Sequence, residues 1–156
     1  YALGILGSFQ PSSQEVKTFS IQLKKYESLK HFEELTGYFL SALVNISSDQ
    51  SFEIVTEHLD ILVSYIGYQN KKNIRVIGNA SDFFGFCNNG NILIQGNAGD
   101  YVGGGMNNGN IVVHGNVGDN VGLDMEGGKI DINGEMGSIS KKFIRGKIYY
   151  KGVRVR

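Results

Sequence analysis

The sequence predicts a mainly β protein, a single-stranded parallel β-helix (solenoid) behind a small α/β cap. The first observation is a repeat. From Asn73 onward, a short apolar strand, a glycine and a glycine-rich return recur every eighteen or nineteen residues. Such a period is typical of solenoids, in which each coil buries its apolar face only by stacking on its neighbours. The second is composition, because 22 glycines stand against one proline and 41% of the residues are hydrophobic. That content suffices for a core that closes without disulfides or metal.

Residues 1–56 lack this period and are predicted to form the cap, from a strand and a helix. Glu15 to Leu23 alternates loosely between apolar and polar side chains, which favours an edge strand. Ser28 then precedes a helical pattern with an apolar stripe that needs a partner, and the end or flank of the solenoid is the expected one. The stripe consists of Leu29, Phe32, Leu35, Phe39, Leu43 and Ile46. Gly37 within it costs about 1 kcal/mol relative to alanine, so the helix must depend on packing. Phe52 to Val55 is predicted to be another strand.

The β-helix is predicted over residues 57–156, with Glu57 to Tyr68 as a degenerate first coil. Its strands start at Asn73, Asn91, Asn110, Lys129 and Lys147. The second and fourth side chains of each strand are expected to point inward, stacked coil on coil about 4.8 Å apart. These two columns are Ile74, Ile92, Ile111, Ile130 and Ile148, and Val76, Ile94, Val113, Ile132 and Tyr150. Leu93 and Val112 point outward, as either a protein-binding patch or scattered surface hydrophobes.

Glycines recur at three positions of the repeat and are predicted to be structural. They close each strand at Gly78, Gly96, Gly115, Gly134 and Gly152, recur three residues later at Gly99, Gly118 and Gly137, and recur seven residues later at Gly85, Gly103 and Gly122. A chain that turns a corner at the same place in every coil needs either a positive φ or a close approach free of side chains. Glycine supplies both at the least steric cost.

Two polar columns accompany these glycines. Asp82, Asp100 and Asp119 would stack about one coil apart, and two unit charges at that spacing repel by roughly 1 kcal/mol in water. Either a bound cation or hydrogen bonds from each aspartate's own turn must offset this repulsion, and we favour the hydrogen bonds. The second column is Asn79, Asn97 and Asn116, for which we predict an amide ladder. Met106 and Met125 share a later repeat position and are interpreted as core filling.

The sequence offers no catalytic machinery, and we expect no catalytic residue, no cofactor and no metal site. His31, His58 and His114 have no ligand spacing, and no second cysteine stands near Cys87. The phosphate-loop pattern is absent, because Gly128-Lys129 and Gly146-Lys147 are both followed by isoleucine.

The charge is unevenly distributed along the chain. Residues 73–128 contain five acids against one base, whereas residues 129–156 contain eight bases against two acids. The basic end either binds nucleic acid or protects an exposed strand edge, and we favour the edge. A single cysteine, no membrane-length apolar run and no secretory signal in Tyr1 to Gln10 predict a cytoplasmic protein without membrane contact.

Two segments carry a resemblance to known families. Gly96 to Met106 reads GNAGDYVGGGM and Gly115 to Met125 reads GNVGDNVGLDM, followed by Asn108-Gly109 and Gly127-Gly128 respectively. This pattern resembles the glycine-rich repeats found in one of the subunits of formylmethanofuran dehydrogenase and in the C-terminal glycine-motif domain of the glutamate synthase large subunit. The resemblance implies a right-handed parallel β-helix. It also implies a scaffold, which holds molybdopterin-bearing and other subunits together in one family and braces amidotransferase and synthase domains in the other.

The expected function is therefore that of a non-catalytic β-helical subunit or assembly scaffold, with partner subunits of an oxidoreductase-like complex or with copies of itself. The alternative is an enzyme or small-ligand binder with a site between the cap and the coils, where Tyr65, Tyr68, His58 and Cys87 could meet. A third alternative is nucleic-acid binding by the basic end, at Lys141, Lys142, Arg145, Lys147, Lys151, Arg154 and Arg156.

Overall fold

The computed structural model describes residues 9–156, and nearly all of the segment considered for a secretory signal lies outside them. The chain begins with helix α1 (Ser13–Gln22), a 3-10 helix (Leu23–Tyr26) and helix α2 (Phe32–Ile46). The strands follow as β1 (Ser51–Val55), β2 (Asn73–Ile77), β3 (Asn91–Ile94), β4 (Asn110–Val113), β5 (Lys129–Ile132), β6 (Lys147–Tyr150) and β7 (Val153–Arg154). This is a mostly parallel β-solenoid of about five turns with two helices at its N-terminal end.

The strands form one seven-stranded sheet in sequence order. Strands β1 to β6 pair in parallel, and each coil contributes the strand beside that of the coil before it. The register aligns Ile74, Ile92, Ile111, Ile130 and Ile148 as successive partners, and each of these side chains is at most 3% exposed. The fourth-position column is buried as far as Ile132, and Tyr150 ends it half-buried. The predicted axial core is therefore confirmed.

The rest of each coil supplies the opposite wall of this core. Met106 and Met125 are fully buried together with Phe84, Val102 and Val121, which confirms their interpretation as core filling. Parallel bridges also join Ala98 to Val117 and Val117 to Met136 on a second side of the coils.

The prediction of an edge strand from Glu15 to Leu23 is wrong, because these residues form helix α1 and the start of the 3-10 helix. Ser12 caps α1 in a capping box, in which its hydroxyl accepts from the Glu15 amide and the Glu15 carboxylate accepts from the Ser12 amide. A serine followed three residues later by glutamate is a sequence signal for a helix start, and it outweighs a loose alternation. The cap thus contains two helices, and α1 packs on β1, whose Val55 amide donates to the buried Ser20 hydroxyl.

The second helix exists as predicted but begins at Phe32 and buries a different face. Of the predicted stripe, only Phe32 and Leu43 are buried, whereas Leu29, Leu35, Phe39 and Ile46 are exposed. The buried face also holds the small residues Thr36, Gly37 and Ser41. A Cβ on Gly37 would lie 1.6 Å from the Ser64 carbonyl oxygen. The glycine therefore permits the contact between helix and first coil, and α2 is fixed by close approach of its backbone instead of by its largest apolar side chains.

The two ends of the sheet differ from its middle. The strand predicted within the cap, Phe52 to Val55, belongs to β1 and pairs with β2, so it opens the solenoid. At the other end β7 turns back antiparallel on β6 through Lys151 and Gly152, which both have positive φ. No helix among residues 9–156 is long and apolar enough to cross a membrane.

Candidate functional site

The asparagine and aspartate columns fasten each coil to the next one. The Asn79 and Asn97 side-chain oxygens accept from the backbone amides of Asn97 and Asn116, at 2.8 and 2.7 Å. In the same way, the Asp82 and Asp100 carboxylates accept from the amides of Asp100 and Asp119, also at 2.8 and 2.7 Å. Turn amides that no strand could pair are thereby satisfied by side chains.

These contacts correct the expected partners of both columns. Hydrogen bonds do engage the aspartates, but the donors lie in the following coil and not in each aspartate's own turn. The asparagines likewise bond to backbone and not to one another. Ser138 continues the aspartate column, because its hydroxyl donates to Asp119 and accepts from the Asn120 amide. Among residues 9–156, no group of three or more His, Cys, Asp or Glu side chains is arranged to hold a metal ion.

The same ladder explains two of the three glycine positions. A Cβ on Gly96, Gly115 or Gly134 would lie 2.3–2.5 Å from the asparagine oxygen of the preceding coil. A Cβ on Gly99, Gly118 or Gly137 would lie 1.9–2.5 Å from the aspartate oxygen of the preceding coil. The glycines are required because the ladder oxygens occupy the space where a side chain would begin. Gly78, Gly103 and Gly122 instead have positive φ, and at Gly103 a Cβ would also strike the Ile130 methyl group at 2.4 Å.

A column of stacked aromatic rings covers one corner of the first coils. Tyr38 of α2 stacks on Tyr65, Tyr65 on Phe83 and Phe83 on Tyr101, with ring centroids 4.4–4.7 Å apart. The three coil residues all have φ near +60°, a conformation that side chains rarely adopt. Stacking contributes about 0.5–1.5 kcal/mol per pair beyond the buried area, which offsets part of that strain. Asn120 has the same conformation in the next coil, and the column of rings ends there.

A polar cleft, which we call the amide cleft, lies where α2 meets the coils. Its volume is about 540 Å³ and its lining is Asn45, Gln69, Lys71, Cys87, Asn89 and Asn107. The Asn45 side-chain oxygen is buried and has no hydrogen-bond partner among the described residues. Partial burial raises the pKa of the Cys87 thiol, so the thiol stays protonated at neutral pH and is a poor nucleophile.

The four residues proposed for a site between cap and coils do not converge on one cavity. Cys87 lines the amide cleft, whereas Tyr65 and Tyr68 belong to the aromatic cluster, with their rings 6.4 Å apart. His58 lies in the first coil, outside the lining of the amide cleft, and its Nε2 atom is buried without a partner among the described residues.

A buried pair of asparagines, which the sequence did not lead us to expect, lies beneath the cleft. The Asn70 amide donates to the Asn88 oxygen at 2.9 Å, and each of the two closes its own turn. Asn70 and Asn88 occupy the repeat position that Met106 and Met125 take in the later coils. The signal was present in the sequence as asparagines aligned with core methionines. Sequence reasoning missed it because a buried polar column is uncommon unless every group is paired.

An apolar groove, the cap groove, runs across the outer face of the two helices. It is lined by Phe19, Leu23, Tyr26, Leu29, Lys30, Phe32, Leu35, Thr36 and Phe39, with a volume of about 430 Å³. Leu29 and Leu35 are 60% and 61% exposed. Every exposed large apolar side chain among residues 9–156 lies before Val63 or after Phe143. The exposed apolar surface is therefore confined to the two ends of the molecule, and Leu93 and Val112 on the sheet face are only half-buried.

The basic end is exposed, and several of its charges are already engaged. Lys151 pairs with Glu135, and the Arg145 guanidinium donates to the Glu126 carbonyl oxygen at 2.6 Å. Lys129 pairs with Asp131 at 2.7 Å and lies over the Tyr149 ring. Nucleic-acid binding by this end stays a prediction.

Comparison of the chain with protein-family models, with curated proteins and with solved structures found no match.

Proposed function

We propose that this chain is a non-catalytic β-helical scaffold that binds a partner subunit through the cap groove. The observation that carries the proposal is the exposure of Leu29, Leu35 and Phe39 on the outer face of α2 and the segment before it, at 60%, 61% and 51%. A contiguous apolar surface of this kind marks an interaction site, whereas single exposed apolar residues do not.

The chemistry of the groove favours one kind of occupant. Two helices form its walls, and apolar side chains spaced along a groove of this type receive the apolar face of a partner helix. The lining contains no carboxylate and one ammonium group, that of Lys30. The expected partner is therefore an amphipathic helix of another subunit, with an acidic side chain beside its apolar stripe to reach Lys30.

The relationship to a family is part of the same proposal. The repeats at Gly96 to Met106 and Gly115 to Met125 resemble those of formylmethanofuran dehydrogenase, and stacked parallel coils are consistent with that resemblance. The partner would then be a subunit of an oxidoreductase-type complex. As part of such a complex the chain would work in the cytoplasm, a reducing compartment that suits its single cysteine.

Site-specific photo-crosslinking in the source cell tests the proposal. A benzophenone side chain at Leu35 is expected to form a crosslink to one defined protein, and the same group at Ile144 is not. Ile144 is the matched control because it is exposed to a similar degree, at 59%, and lies at the opposite end of the solenoid.

Charge-introducing variants decide between specific docking and adhesion. Leu35→Glu or Phe39→Glu should abolish recovery of that protein, and Ile144→Glu should leave it unchanged. Recovery of the chain alone, as a monomer, would contradict the proposal. A crosslink from Leu35 to a second copy of the chain would replace the partner subunit with self-association.

A further inference from the structure

The amide cleft has the size of a ligand site, and its lining is concentrated in one chemistry. Sites for small molecules measure roughly 300–1,000 Å³, and this cleft measures about 540 Å³. Four of its six side chains are carboxamides, one is an ammonium group and none is a carboxylate. None of the ion pairs among residues 9–156 involves Lys71. The cleft therefore carries an unneutralised positive charge among neutral hydrogen-bonding groups.

The backbone holds this lining in place. Gln69 and Cys87 have φ of 51° and 56°, and their amides donate to the next coil, to the carbonyl oxygens of Phe86 and Gly104. Side chains with positive φ are strained and tend to persist where the surroundings determine them, commonly at binding sites. The two side chains are thus fixed one coil apart before any ligand arrives.

The remaining groups repeat at the coil spacing. Lys71, Asn89 and Asn107 each lie two residues after the aligned corner residues Gln69, Cys87 and Gly105. The Asn89 and Asn107 amide groups each donate one hydrogen bond to their own turn, at 3.3 and 3.2 Å. Their oxygens accept no hydrogen bond from the described residues, and the buried Asn45 oxygen has no partner there either. Free carbonyl oxygens and amide hydrogens on adjacent coils are complementary to a row of hydroxyl groups, which both donate and accept.

We propose that the amide cleft binds a small hydroxylated anion, namely a sugar that carries a phosphate or carboxylate group. The carboxamides bind its hydroxyl groups and Lys71 binds the anionic group. The Cys87 thiol forms part of the wall and takes no part in covalent chemistry. This site lies on the flank of the coils and is independent of the cap groove.

The sole cysteine of the chain provides a reporter inside the cleft. Alkylation of Cys87 by neutral iodoacetamide, followed by mass spectrometry, is measured with glucose 6-phosphate, with glucuronate and with uncharged glucose. A saturating ligand should slow alkylation, by about tenfold at a concentration ten times its Kd. Protection by glucose 6-phosphate alone identifies a phosphate site, and protection by both anions identifies a general oxyanion site.

Two variants and a control locate the binding. Lys71→Gln should remove the protection by the anions, and Asn107→Ala should weaken it, while neither changes the alkylation rate without ligand. Both residues are exposed, and circular dichroism checks the fold. Lys141→Gln removes an exposed lysine outside the cleft and should behave as the parent. The proposal is overturned if no anion slows alkylation, if glucose protects as well as the anions, or if protection survives in both variants.

Discussion

The central coils of the solenoid and the two-helix region bury their apolar residues in different ways. Each coil has a neighbour on both sides, and the isoleucine column from Ile74 to Ile148 is buried throughout. The helices have the solenoid on one side only, so that Leu35 and Phe39 remain exposed. The comparison teaches that a repeat satisfies its own apolar surface, and that the demand for a partner falls on the elements that end it.

A core truncation in each region gives the largest expected contrast. Ile111→Ala removes part of a fully buried side chain with aligned isoleucines above and below it, so we expect the free energy of unfolding to fall by about 2–5 kcal/mol. Leu35→Ala removes an exposed side chain and should change it by less than about 0.5 kcal/mol. Urea unfolding of both variants measures the difference. Equal losses would contradict the division between a self-sufficient solenoid and an uncovered helical face.

A methyl group on the ladder tests how closely the coils approach. Gly118→Ala would place its Cβ 1.9 Å from the Asp100 carboxylate oxygen, and we expect a loss of about 3 kcal/mol from this overpacking. In the Asp100→Ala background the obstructing oxygen is gone, so the same methyl group should cost much less. A double-mutant cycle by urea unfolding measures this coupling. Additive effects would show that Gly118 is needed for a reason other than the ladder.

A smaller effect is expected from the aromatic column, which joins the two regions through Tyr38. Phe83→Leu keeps an apolar side chain but removes two stacked pairs, at about 0.5–1.5 kcal/mol each, so unfolding should become easier by about 2 kcal/mol. Phe83→Tyr keeps the ring and serves as the matched control. Thermal unfolding followed by near-ultraviolet circular dichroism reports both stability and ring packing. Equal stability of Phe83→Leu and Phe83→Tyr would show that the stack contributes nothing.

The smallest effect concerns the C-terminal hairpin and depends on pH. The Lys151 ammonium, with help from the Tyr150 hydroxyl, holds the pKa of Glu135 below its ordinary value of 4.5. A carboxylate with a lowered folded pKa stabilises above the unfolded pKa, and this contribution disappears as pH falls through the folded pKa. Glu135→Gln should therefore lower the melting temperature slightly at neutral pH and not below the lowered pKa. Both groups are exposed, so salt should suppress the difference.

The sequence was sufficient to predict the solenoid, because its period fixes both the strands and the inward columns. The strand starts at Asn91, Asn110, Lys129 and Lys147 coincide with those of β3 to β6. The helical region was harder, since no repeat averages out local ambiguity there. The capping signal of Ser12 and Glu15 competes with the alternation that follows it, and the contact between Gly37 and the Ser64 carbonyl depends on tertiary geometry.

The candidate sites were predicted less well for a related reason. Sequence periodicity shows which residues align, so the aspartate and asparagine columns were found, but it does not show whether a side chain bonds within its coil or to the next. The amide cleft gathers Asn45 from α2 with residues of three coils, and only the docking of the helix brings them together. Of the residues predicted between cap and coils, Cys87 alone lines the amide cleft.

Hydrogen exchange of the Asp119 backbone amide, followed by NMR, tests the stacking of the coils most directly. This amide lies in an exposed turn and donates to the Asp100 carboxylate of the preceding coil. Hydrogen bonds to charged groups contribute about 1.5–3 kcal/mol, so Asp100→Ala should speed its exchange by about tenfold or more. The Ile111 amide, in a strand of the same coil, should change far less. Exchange of the Asp119 amide at the rate of an unstructured peptide in the unmodified chain would contradict the account.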